Sequence, residues 1–230
     1  MNDGRLLSGV WKWVMRTSVY FLPATALELL IATVAIADAP EEDIWAECRS
    51  TESCTIEYDH LANQETNPFL FNGKAVDEKH QKWGKYRKNL RRYPDVRDCL
   101  LEAERSEKAP NLLMIDWEGV GTSENASVCV FRIAASLGDI ERTQAWLAYQ
   151  GFRFSGISRR VSKTFVPDHE NYPVYTVTAS WTVDRYRELN PSLFAAITGY
   201  DLVQSYQLVL TFDQNQKIAG VSVVTPTKFN

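Results

Sequence analysis

The stretch that most constrains this chain is Ser205 to Val224, SYQLVLTFDQNQKIAGVSVV, close to its C-terminal end. Tyr206, Leu208, Leu210 and Phe212 alternate with Gln207, Val209 and Thr211. A period of two places those large apolar groups on one face of a strand. Asp213-Gln214-Asn215-Gln216 is a polar loop of the length that joins antiparallel strands. Ile218 to Val224 then returns, with Ala219, Val221 and Val223 on one face. Ile218 falls out of that phase, and Gly220 beside it marks a candidate β-bulge. So apolar a sheet face needs a cover, and the helix expected over Asp139–Gln150 is the candidate. The fold class expected is therefore α+β: a helix packed on an antiparallel sheet, with a mostly helical N-terminal extension.

Other segments fit around that hairpin. Tyr175, Val177, Ala179, Trp181 and Val183 alternate with Thr176, Thr178, Ser180 and Thr182, a second clear strand. Ser136-Leu137-Gly138-Asp139 reads as a helix start and Gly151 as its end. Phe152–Val161 is expected to leave as a strand. Residues 77–93 read as a helix with acidic residues first and arginines last, its apolar stripe being Trp83, Tyr86, Leu90 and Tyr93. Pro94 stops it, and Asp95–Lys108 reads as another helix with Val96, Cys99, Leu100 and Leu101 inside. Asn111–Val120 and Ser127–Ala135 are expected as strands about a turn at Gly121–Asn125; Val128–Ala135 suits the start of a helix equally well, and the alternation of Cys129, Phe131 and Ile133 tips the reading to strand. Residues 38–73 are polar and irregular, with Phe69-Leu70-Phe71 their apolar cluster. Between the last strands lies an insertion, Asp184–Gln204, too long for an ordinary hairpin loop. Its expected helix, Ser192–Thr198, carries Leu193, Phe194 and Ile197, either as a cap on the sheet or as a partner-docking knob.

The division expected is a signal peptide or membrane anchor at 1–37, an extension at 38–135 and an α+β module at 136–230. Arg5, Lys12 and Arg16 precede the apolar run Ser18–Ala37, and Asp38, Glu41, Glu42 and Asp43 follow it. That charge order suits export, and Ala35-Ile36-Ala37 suits cleavage before Asp38. An uncleaved anchor through residues 18–37 is the rival reading, and a buried core helix the third. Loss of 1–37 removes three basic and two acidic groups and takes the formal charge from -4 to -5. The expected location is the periplasm, or the membrane with the chain facing it. All four cysteines, Cys48, Cys54, Cys99 and Cys129, follow the apolar run, so two disulfides are expected, with Cys48–Cys54 and Cys99–Cys129 the favoured pairing.

Catalytic motifs are not evident: there is no G-x-S-x-G, H-E-x-x-H or phosphate-binding glycine loop. His60, His80 and His169 are scattered and no C-x-x-C occurs, so neither metal nor cofactor is expected. Asp116 and Glu118 read as two carboxylates on one strand face, best placed at the surface. The chemical asymmetry is basic. Lys79, Lys82, Lys85, Arg87, Lys88, Arg91 and Arg92 crowd one helix of a chain with net charge -4. A solvated face around an apolar stripe is one reading, and contact with an anionic protein or envelope component is the other. Nucleic acid is not an expected partner of an exported acidic chain. Arg153, Arg159, Arg160 and Lys163 form a second basic cluster, with Arg153 and Arg159 expected on one face.

Helix DIERTQAWLAYQGF, followed by strands ending in LTFDQNQKIAGVSVV, resembles small exported bacterial modules of the SmpA/OmlA type, outer-membrane assembly lipoproteins related to the β-lactamase-inhibitor-like fold. The resemblance covers residues 136–224. It implies a non-catalytic role in binding proteins, and no functional residue carries over. The lipid-modified cysteine of those lipoproteins has no counterpart, since Trp45-Ala46-Glu47 before Cys48 is not a lipobox. The function expected is therefore an exported, non-catalytic protein that binds another protein or an envelope component. The alternatives are an inhibitor or immunity protein of an exported enzyme, and an enzyme whose site has no sequence signature.

Overall fold

The computed structural model describes residues 54–159, 171–189 and 205–225. In chain order these form β1 (Leu70–Phe71), β2 (Lys74–Ala75), α1 (Trp83–Arg92), a 3-10 turn (Val96–Cys99), α2 (Glu102–Arg105), α3 (Trp117–Val120), α4 (Ser123–Leu137), α5 (Ile140–Tyr149), β3 (Arg153–Phe154), β4 (Ser158–Arg159), β5 (Tyr175–Trp181), α6 (Val183–Leu189), β6 (Tyr206–Phe212) and β7 (Ile218–Val224). The fold is α+β. Residues 1–53, with the expected signal segment and Cys48, lie outside the described set, as do Leu193, Phe194 and Ile197.

The sheet is antiparallel in the order β3-β5-β6-β7, with β4 also paired to β5. Its register puts Leu210 between Val177 and Val221, and Leu208 between Ala179 and Val223. Directly opposed residues share a face, so these form one continuous apolar surface with Trp181, Tyr206 and Phe212. The bulge falls where the phase breaks: Thr211 pairs with Gly220, but Phe212 pairs with Ile218. The extra residue, Ala219, turns Ile218 back to the apolar face. Asp213 builds the loop, its Oδ1 accepting from the backbone N–H of Asn215 (2.8 Å) and of Lys217 (2.9 Å). The β1–β2 hairpin packs on this bulged end, and the Gly73 N–H donates to the Ala219 carbonyl at 2.7 Å. A Cβ on Gly220 would lie 3.2 Å from the Asn72 nitrogen and 3.4 Å from the Leu70 oxygen, so the hairpin seats closely only over glycine.

The helix that covers the sheet is α4, which lies against β7, while α5 meets the sheet at β3. Ser127–Ala135 is thus helical and not a strand, a correction with a clear cause. Thirteen of the fifteen α4 residues are buried, so the helix shows no polar stripe and its apolar run mimics alternation. Its limits are marked chemically: Thr122 accepts from the Asn125 N–H at the N-cap, and Gly138 closes it at φ 86°. Asn111–Val120 is likewise no strand. It turns through Leu112 and Leu113, makes one bridge between Ile115 and Leu100, and forms α3 behind the Asp116 cap. The expected helix at 95–108 splits into the 3-10 turn, closed by a reciprocal Asp95/Asp98 capping box, and α2. Leu101, expected inside, is 40% exposed. The strand expected over Phe152–Val161 is confined to the short β3 and β4 among the described residues. Arg153 pairs with Ser180 and Arg159 with Tyr175, positions of opposite parity on β5, so the two arginines lie on opposite faces.

One apolar cluster runs from Ala62 to Val221 and takes side chains from nearly every element. The Cys99–Cys129 disulfide ties the 3-10 turn to α4 inside it, with both residues at 0% exposure. Cys54 is also disulfide-bonded. The Cys99–Cys129 bond spans 30 residues of chain, so breaking it through the paired Cys99→Ala/Cys129→Ala variant is expected to lower stability by about 3–4 kcal/mol in denaturant titrations. A loss below about 1 kcal/mol would show that packing alone holds the turn to α4.

Candidate functional site

The cationic helix is α1. It starts at Trp83, after a turn in which the Asp77 carbonyl accepts from the His80 N–H (3.0 Å) and the Asp77 carboxylate accepts from the Lys79 N–H (2.9 Å). Tyr86 and Leu90 are buried, Trp83 partly so. Tyr86 meets Phe69 with ring centroids 4.9 Å apart. Asn89 donates to Asn125 Oδ1 (2.6 Å), and Tyr93 donates its hydroxyl hydrogen to the Gly119 carbonyl (3.0 Å). These contacts fix the rotation of α1 about its axis.

At about 100° per residue, the half of α1 opposite Tyr86 and Leu90 holds Lys85, Lys88, Arg91 and Arg92, with Gly84 the one residue there that is not a cation, and Arg87 lies just beyond its edge. All are exposed. Lys85 is engaged, 3.3 Å from Glu124 and 5.4 Å above the Tyr86 ring. Arg92 donates to the Gly119 carbonyl at 3.2 Å and lies 5.2 Å over the Tyr93 ring. Lys82, half-buried at the N-cap, lies 5.4 Å over Phe71. Lys79, Arg87, Lys88 and Arg91 make no side-chain ion pair or hydrogen bond with a described residue. The expected set of seven thus divides into three held side chains and four that face solvent.

A polar recess of about 140 Å³ adjoins the end of α1, lined by Arg92, Tyr93, Asp98, Arg105 and Asp116 among others. Burial raises the Tyr93 phenol above its ordinary range. Asp116 is committed to the α3 cap, accepting from the Gly119 N–H at 2.8 Å, and lies 3.5 Å from Arg105. Asp116 and Glu118 therefore belong to a helix start, not to one strand face. Asp59 and His60 diverge as well: Asp59 pairs with Arg142 at 2.5 Å, while His60 Nε2 bonds Asn67 Oδ1 at 2.7 Å. The Arg142 guanidinium, bonded to it, holds the Asp59 carboxyl below its ordinary range. Among the described residues there is no group of three or more His, Cys, Asp or Glu suited to a metal ion, and no helix long and apolar enough to cross a membrane.

The sequence reading did not single out Arg132, the guanidinium at the centre of the helical half. It is fully buried, and its nitrogens donate to the carbonyls of Asn63 and Asn67 and to Gln64 Oε1. Its signal was available: one cation inside the apolar run SVCVFRIAAS. Comparison with known protein families, with curated proteins and with solved structures gives no match to this chain.

Proposed function

We propose that this chain is an exported, non-catalytic binding protein that holds an anionic partner, an acidic protein or envelope component, on the outer face of α1. The observation that carries this reading is the row of cations with no described counter-charge, Arg87, Lys88 and Arg91, on a helix whose rotation is set by buried contacts. Lys85 and Arg92 are paired or packed, whereas these three guanidinium and ammonium groups are open to a counter-charge from outside the chain. The Cys99–Cys129 disulfide suits an oxidising compartment beyond the cytoplasm. Binding without catalysis is also the role implied by the resemblance of residues 136–224 to the SmpA/OmlA modules.

The test is charge reversal in the full chain. Arg87→Glu, Lys88→Glu and Arg91→Glu together alter exposed positions, so the free energy of unfolding is expected to change by no more than about 0.5 kcal/mol per site. Crosslinking in cells should capture the partner with the wild type and lose it with the variant. Wild-type capture should also weaken as salt rises, because exposed charges are screened over about 10 Å at 0.1 M ionic strength. Equal capture by both proteins at every salt concentration would defeat the reading.

A further inference from the structure

We infer that the cleft between the 59–68 loop, the C-terminal half of α4 and the start of β7 is a binding site for a small apolar carboxylate. It encloses about 330 Å³, at the lower end of the volumes that hold small molecules. Phe131, Ala134, Ala135 and Ile218, all buried side chains of the core, form an apolar floor. Ala134 and Ala135 are small, so this side of α4 leaves room that a larger side chain would occupy.

The rim is polar and selects for an acid. Among the described residues that line the cleft, Lys217 carries the one formal charge. Its ammonium is held in place, donating to the Gly138 carbonyl at 2.8 Å and lying 3.6 Å from Asp59 Oδ2. The nearby carboxylates, Asp59 and Asp139, are both engaged by Arg142, at 2.5 and 3.2 Å, and neither lines the cleft. Asn67 is fixed in a donating orientation. Its Oδ1 accepts from His60 Nε2 (2.7 Å), with the Thr66 hydroxyl, which it shares with Asn63 Oδ1, at 3.0 Å, so the Nδ2 hydrogens are what it offers a ligand. The Asn67 carbonyl is anchored in turn by Arg132. A preset ammonium and amide above an apolar floor fit a carboxylate on a body about one ring in size. That chemistry has two sources, a free organic acid and the C-terminal residue of a peptide.

The experiment titrates the full chain with 4-phenylbutyrate, with its neutral analogue 4-phenylbutanol, and with a short peptide ending in phenylalanine as free acid and as amide. Calorimetry is expected to show saturable binding of the acids and at least about tenfold preference over the neutral partners. Lys217→Met should abolish that preference and leave the neutral probes unchanged. Ala135→Leu should weaken every probe by about tenfold or more. Tighter binding of the peptide acid assigns the site to chain termini, and tighter binding of 4-phenylbutyrate to free acids; either supports the proposal. No saturable binding of any probe by about 5 mM would overturn it. So would affinity unchanged in Ala135→Leu, or acid preference retained in Lys217→Met. Lys217 is solvent-exposed, so that variant keeps the proposal testable if Ala135→Leu does not fold.

Discussion

Replacing Arg132 with methionine is expected to destabilise the protein by about 3–5 kcal/mol, although it removes a buried charge. Burial is the main cause that brings the guanidinium down from its ordinary value to about 10, with the charges of Asp95 and Asp98 acting against it. No carboxylate of the described residues lies within ion-pair distance of Arg132, so the charge itself contributes little. What it supports is backbone. The Asn63 carbonyl at 3.2 Å, the Asn67 carbonyl and Gln64 Oε1 all accept from it, with the Tyr93 carbonyl at the 3.5 Å limit. Buried ion pairs are often replaceable by apolar side chains because both partners can be removed together. Carbonyls cannot be removed, and each one left unsatisfied costs about 1–3 kcal/mol. The 63–67 loop should therefore open to water. Urea titration gives the stability loss, and amide exchange should show lost protection at Asn67, whose N–H donates to the Asn63 carbonyl. A loss under about 1 kcal/mol with that protection intact would mean that the loop is held by its other contacts.

Trp181→Ala is expected to cost about 4–5 kcal/mol, at the upper end for a buried aromatic. The ring stacks on Phe152, with centroids 4.2 Å apart, and on Tyr206, at 5.1 Å, and meets Trp117 in a T-shaped contact at 4.7 Å between centroids. Its Nε1 donates to the Gln150 carbonyl at 3.0 Å. Gln150, nearly fully buried, also accepts from Trp117 Nε1 (2.9 Å) and donates to the Leu113 carbonyl (2.8 Å). The cavity would thus open where sheet, α3 and the end of α5 meet, and little around it can collapse. Trp181→Phe separates the two contributions. It keeps a stacking ring and loses the hydrogen bond and some volume, for an expected cost of about 1–2 kcal/mol. Chemical denaturation of both variants decides: equal losses would assign the whole effect to the Gln150 bond and not to packing.

Several elements of this chain were readable from short-range pattern because short-range physics creates them. The β6–β7 hairpin, its bulge at Ile218–Gly220 and the alternation of β5 each depend on neighbours along the strand. The Tyr86–Leu90 stripe follows from helical spacing, and the limits of α5 from the Asp139 cap and Gly151. The run of cations in α1 was equally visible. Which of them are engaged was not, because Glu124 and the Gly119 carbonyl reach α1 only after folding. The identity of the covering helix was hidden for a related reason. A helix buried on all sides has no polar face, so α4 lacked the one periodic sign that separates helix from strand. The Arg132 cage, the Gln150 hub and the Lys217 cleft join residues 65, 33 and 79 positions apart. Burial makes those polar groups find partners, but only the packed chain decides which partners come within reach.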